Sequence, residues 1–170
     1  MPDDRTAPST AETLFPTARE RSAAPGTGHL PAPLFEIAVA AMWSGGELAA
    51  RAVERGHALT RRLLTVPRRS GSPFGAMAAG PLDFDQLEFD ALDADERRLA
   101  YAISQWVGCR GEASPRSASF CRGLQLRLRI DDREAAMLRD VVAAVEATAE
   151  AEDADASLGL LLAALDPNAA

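Results

Sequence analysis

Between Gly123 and Ala151 the hydrophobic period of the chain changes, and that change constrains the fold more than any other stretch. Leu124, Leu126, Leu128 and Ile130 alternate with Gln125, Arg127 and Arg129. A period of two predicts a half-buried strand with one apolar and one basic face. Leu138, Val141, Val142, Val145 and Ala149 then fall at helical spacing on one stripe. Asp131 stands at the switch, with Glu134 three residues on. Asp131 can accept from free N–H groups of the first turn, and Glu134 can reach back to complete a capping box. The stretch therefore predicts strand, cap and helix in succession.

A lone strand leaves backbone N–H and C=O groups without partners. Its four apolar side chains contribute on the order of 6 kcal/mol only if something covers them. Leu63 to Val66 and Leu82 to Phe84 are the other candidate strands, and both are weak. The predicted strand thus pairs with its own copy or with the edge strand of a partner. Leu124, Gln125, Leu126, Arg127, Leu128, Arg129 and Ile130 are the expected interaction residues.

The rest of the chain reads as helical. Residues 1–33, rich in Pro, Ser, Thr, Ala and Gly, predict a disordered arm with one short apolar pair, Leu14 and Phe15. Residues 34–170 read as one mainly helical domain of four to five helices with an internal linker at 67–82. Leu34 to Trp43 is too short and too apolar for anything but a buried helix or an interfacial segment, and buried helix is the better fit. Ser44 and Glu47 suggest a capping box for a helix running to about Val66. Leu48, Ala52, Leu59, Leu63 and Val66 line one face of it. Arg51, Arg55 and Arg62 lie on its border, and His57 stands opposite the stripe, in solvent. Asp83 to Leu92 leans to helix. Asp93 and Glu96 start a helix that buries Leu99, Ala102, Ile103 and Trp106, turns Tyr101 to the polar side and stops at Gly108 in a left-handed conformation. Cys109 to Cys121 reads as a loop. Ser157 to Leu165 makes a last short helix with Leu158, Leu161, Leu162 and Leu165 inward.

Charge is segregated. Glu47 to Arg69 carries six arginines against two acids, and Asp83 to Glu96 carries seven acids and no base. Arg110 to Arg129 carries five arginines against one acid, and Asp131 to Asp155 nine acids against two arginines. Such alternation predicts complementary faces within one fold or solvated helix surfaces. The more functional alternative is a docking face for a partner.

Several chemistries are excluded. All 18 basic residues are arginine. No side-chain amine exists for a Schiff base, a pyridoxal cofactor or a phosphate-loop lysine. No Gly-x-Ser-x-Gly elbow is present, and the two histidines, His29 and His57, stand in contexts that suggest no base. Cys109 and Cys121 lack further Cys or His at metal-ligand spacing. No cofactor or metal is expected. The absence of a secretory signal or a membrane-spanning apolar run predicts a cytoplasmic protein with reduced thiols.

Strand, Asp-Asp-x-Glu, helix, acidic turn and helix over Leu124 to Leu165 resemble the ribbon-helix-helix DNA-binding proteins. The resemblance implies a dimeric ribbon in the major groove, with Gln125, Arg127 and Arg129 reading base edges. Glu150, Glu152, Asp153 and Asp155 precede the second helix, whose N-terminus should approach a phosphate in that family, so this ranks second. First stands a non-enzymatic, bacterial-type cytoplasmic adaptor or regulatory protein acting through protein–protein contacts, either alone or as a homodimer. An enzyme would need a carboxylate or cysteine site assembled from distant residues.

Overall fold

A computed structural model describes residues 31–63, 80–108, 114–148 and 152–166. Among the described residues there are six helices: α1 (Ala32–Met42), α2 (Ala50–Leu63), α3 (Ala94–Val107), α4 (Pro115–Arg127), α5 (Asp132–Glu146) and α6 (Ala154–Leu165). A 3-10 turn, Phe84–Gln86, interrupts the approach to α3. Most of the arm expected at 1–33 and of the linker expected at 67–82 lies outside the described residues.

The mainly helical expectation holds, but among the described residues there is no strand. The stretch expected to be one is the C-terminal half of α4 and its cap. Leu124 and Leu128, four residues apart, are buried on one face, while Leu126 between them is 64% exposed. A strand would have put all three on the same side. The start signal lay inside the predicted loop. Ser114 accepts from the backbone N–H of Ser117 at 3.1 Å, and Pro115 occupies the first turn. Serine at the cap followed by proline at N1 begins a helix because the missing proline N–H is one the helix cannot use there. From that start Phe120, Leu124 and Leu128 follow at steps of four. The alternation persists only because Ile130, beyond the helix, also turns inward.

The helix ends in a Schellman motif. Ile130 N–H donates to the carbonyl of Gln125, and Arg129 N–H to that of Leu126, both at 3.1 Å. The motif puts Arg129 in the left-handed region, at φ 58°. Glycine is the usual occupant, and a side chain there costs roughly 1–2 kcal/mol.

α3 is the central element. It packs against α1, α2, α4 and α5, and α6 closes over α2 and α5. All eight residues from Ala100 to Val107 are buried. Tyr101, expected on a polar side, is buried with the rest, and its hydroxyl accepts from Arg139 of α5 at 3.1 Å. A stripe calculation assumes that one face of a helix meets solvent; α3 has no such face along its second half. α1 is the buried helix expected from its composition, apolar from Ile37 to Met42.

Helix starts were only partly legible. At α3 the capping box forms in both directions, Glu96 N–H to Asp93 at 2.9 Å and Asp93 N–H to Glu96 at 2.8 Å. At α5 only half of it forms. Asp131 accepts from Glu134 N–H at 2.8 Å, but the Glu134 carboxylate takes a hydrogen bond from Arg98 of α3 instead. Ser44 caps nothing. Its hydroxyl lies buried against Ser117 Oγ of α4 at 3.3 Å, the chain turns through Gly45 and Gly46, and α2 starts at Ala50. His57, expected in solvent, is half-buried. Asp153, in the acidic turn, accepts from Asp155 N–H at 2.9 Å and Ala156 N–H at 3.3 Å and so caps α6. Asp83 to Leu92 is not a helix beyond its 3-10 turn, although Leu87, Phe89 and Leu92 are buried.

Gly108 ends α3, but not in the left-handed conformation. Its φ is −161°, which any residue adopts. What requires glycine is proximity: a Cβ there would lie 2.4 Å from the carbonyl oxygen of Ala41 in α1.

Candidate interaction surface

The 82–92 segment lies across α4 and is fastened to it by aromatic rings. Phe84 meets Phe120 edge-on, with centroids 5.3 Å apart, and Phe89 at 5.4 Å. Such pairs contribute beyond their buried area. The Arg127 guanidinium sits 5.9 Å from the Phe84 ring centroid and binds Asp85 at 2.7 Å. Arg129 reaches Asp90 at 3.6 Å.

Between this segment and the end of α4 lies a groove of about 530 Å³, bordered by Leu87 to Ala91 on one side and by Leu126, Arg127 and Arg129 on the other. Glu88 and Asp90 give one wall negative charge, and the two arginines give the other positive charge. Leu126 is the most exposed of the large apolar side chains among the described residues.

Of the seven residues expected to form the interaction surface, three line this groove: Leu126, Arg127 and Arg129. Leu124, Leu128 and Ile130 are core. Gln125 is a buried connector. Its amide donates to the Ile130 carbonyl at 3.3 Å and to Asp132 at 2.8 Å, and its Oε1 accepts from Arg122 at 3.2 Å. The Arg122 guanidinium, at 2.7 Å, and then the Gln125 amide hold the Asp132 carboxyl below its ordinary pKa. The base-reading ribbon implied by the ribbon-helix-helix resemblance therefore has no counterpart: residues 124–127 are helix rather than strand, and Gln125 is enclosed.

The charge blocks fold onto one another. Arg55 and Arg61, from the block at 47–69, bind Glu146 and Asp155 of the block at 131–155. Arg127 and Arg129, from 110–129, bind Asp85 and Asp90 of 83–96. At these four pairs the oppositely charged blocks meet as complementary faces within one fold.

One polar cluster escaped the sequence reading. Arg55, expected at a helix border, is buried to 3% exposure. Its Nη1 donates to the carbonyl of Trp106, its Nη2 lies 2.7 Å from Glu146, and its guanidinium stands 4.9 Å from the Trp106 ring centroid. Trp106 Nε1 donates to Ser157 Oγ at 2.7 Å. The cluster joins α2, α3, α5 and α6. A signal existed: Arg55 falls between Ala52 and Leu59 on the apolar stripe of α2, and Glu146 four residues after Val142 on that of α5. Opposite charges on two inward stripes are a mark of a buried pair. The cluster ties the core together.

Cys121 is half-buried on α4, and Cys109 lies outside the described residues. Among the described residues no three His, Cys, Asp or Glu side chains gather as metal ligands, and no helix is long and apolar enough to cross a membrane. Comparison with protein-family models, with curated proteins and with solved structures found no match.

Proposed function

We propose that this protein is a non-enzymatic, cytoplasmic adaptor or regulator that works by docking another polypeptide at the groove between residues 87–91 and 126–129. One observation carries it: Leu126 stands 64% exposed at the rim of a groove whose two walls bear opposite charges. An apolar anchor surrounded by charge is the usual anatomy of a docking patch, with burial supplying affinity and charge supplying orientation. The side chains that touch this groove can bind and orient a peptide. None of them is a nucleophile paired with a base.

The test is capture from lysate of the source cells with tagged wild type and Leu126→Asp, read by quantitative mass spectrometry. Leu126 is exposed, so the substitution leaves the core intact. A polypeptide enriched by wild type and lost from the variant is the expected result. Identical captured sets would sink the proposal.

A further inference from the structure

We infer that the groove is self-complementary and that its occupant is a second copy of this chain, docked about a two-fold axis. The inference rests on reading the groove as a docking surface and adds what fills it.

The argument starts from charge. The chain as a whole carries −7, so a partner selected by bulk charge is basic. The groove does not share that bias. Glu88 and Asp90 face Arg127 and Arg129 across it. A uniformly basic segment meets repulsion from one wall, and a uniformly acidic one from the other. The fitting occupant brings an apolar residue between a positive and a negative edge, in reversed order. The groove itself, turned by 180°, has that arrangement. A two-fold interface sets residue i of one copy against j of the other, and j against i. Leu126 of each copy then lies against the 87–91 wall of its mate, and Arg129 faces the mate's Glu88 and Asp90.

The existing pairing leaves room for this. Arg129 and Asp90 are 3.6 Å apart, with side chains 72% and 94% exposed. At that distance the contact is an ion pair and not a hydrogen bond. The backbone supplies independent support. Arg129 holds a left-handed conformation that glycine would hold without strain. Strain at a non-glycine residue points to a role for its side chain, and here the Schellman motif fixes the arginine at the rim.

Charge reversal tests it. Wild-type full-length protein is expected to sediment as a dimer at high micromolar concentration. Arg129→Glu sets two acids against acids and Asp90→Arg two cations against cations, so each variant should self-associate at least about tenfold more weakly. Mixing the two variants should restore a dimer, because both cross-contacts are then of opposite sign. Pairing within one chain cannot produce that rescue. Circular dichroism and melting curves verify that each variant is folded. A monomeric wild type, or a dimer indifferent to both reversals, overturns the inference. If wild type is monomeric yet Leu126→Asp still loses a different captured polypeptide, the occupant is wrong and the docking surface stands. If the mixture dimerises and no other polypeptide is captured, the chain is its own partner.

Discussion

Arg55 and Arg129 both pair with an acid of the same chain, and the two pairs differ in almost everything else. Arg55 sits at the junction of four helices, 2.7 Å from Glu146 and in contact with Trp106. Arg129 sits in solvent, 3.6 Å from Asp90. A buried charge has given up water and depends on its partners, so removing one partner leaves the other stranded. An exposed pair gains little, because water and salt compete with it. The first arginine therefore holds the fold together, and the second stays open to solvent. The same residue type is structural at one place and available at the other, and solvent access decides which.

The largest expected effect breaks the inner pair. Arg55→Ala removes the partner of Glu146 and the donor to the Trp106 carbonyl, at a cost of about 3–5 kcal/mol. Urea unfolding measures it, and Arg55→Met with Glu146→Leu should recover most of the loss. A cost for Arg55→Ala below that of an exposed pair would break the comparison. Gly108→Ala comes next. Its methyl group meets the Ala41 backbone, so α1 and α3 must move apart, costing about 1–3 kcal/mol by thermal melt. At the rim the sign reverses. Arg129→Gly relieves the left-handed strain and should stabilise the chain by roughly 1 kcal/mol, while weakening self-association. A destabilised Arg129→Gly variant would show that the rim pair contributes more than its exposure allows.

Asp85→Asn removes the exposed partner of Arg127 and is expected to cost about 0–1 kcal/mol, falling further as salt is added. The smallest effect concerns pH. Asp132 has its folded pKa lowered by Arg122 and Gln125. Its contribution is present above the unfolded carboxylate pKa and is lost as pH falls through the lower folded value. Asp132→Asn should lower stability slightly at neutral pH, leave it unchanged at low pH, and so flatten the acid limb of the stability–pH curve. A steeper acid limb would contradict that assignment.

The sequence by itself determined the helical character of the domain, the buried α1, the start of α3 at Asp93 and of α5 at Asp131, and the inward residues Leu138, Val142 and Val145. These follow from interactions within one turn or along one stripe, which the chain carries locally. It also favoured the mutual neutralisation of its charge blocks. Tertiary structure decided the rest. Leu124 to Ile130 reads as a strand by period, because residues at 124 and 128 satisfy both a period of two and a step of four. Only the covering of Leu124 and Leu128, with Leu126 left in solvent, separates the two. Tyr101 is buried because α5 occupies the side that a lone helix gives to water. Glu134 leaves its capping box because Arg98 lies within reach. Arg55 is a core residue because Trp106 and Glu146 arrive from other helices to satisfy it. In each case the deciding partner is distant in sequence, and burial and pairing across such distances exist only once the helices have packed.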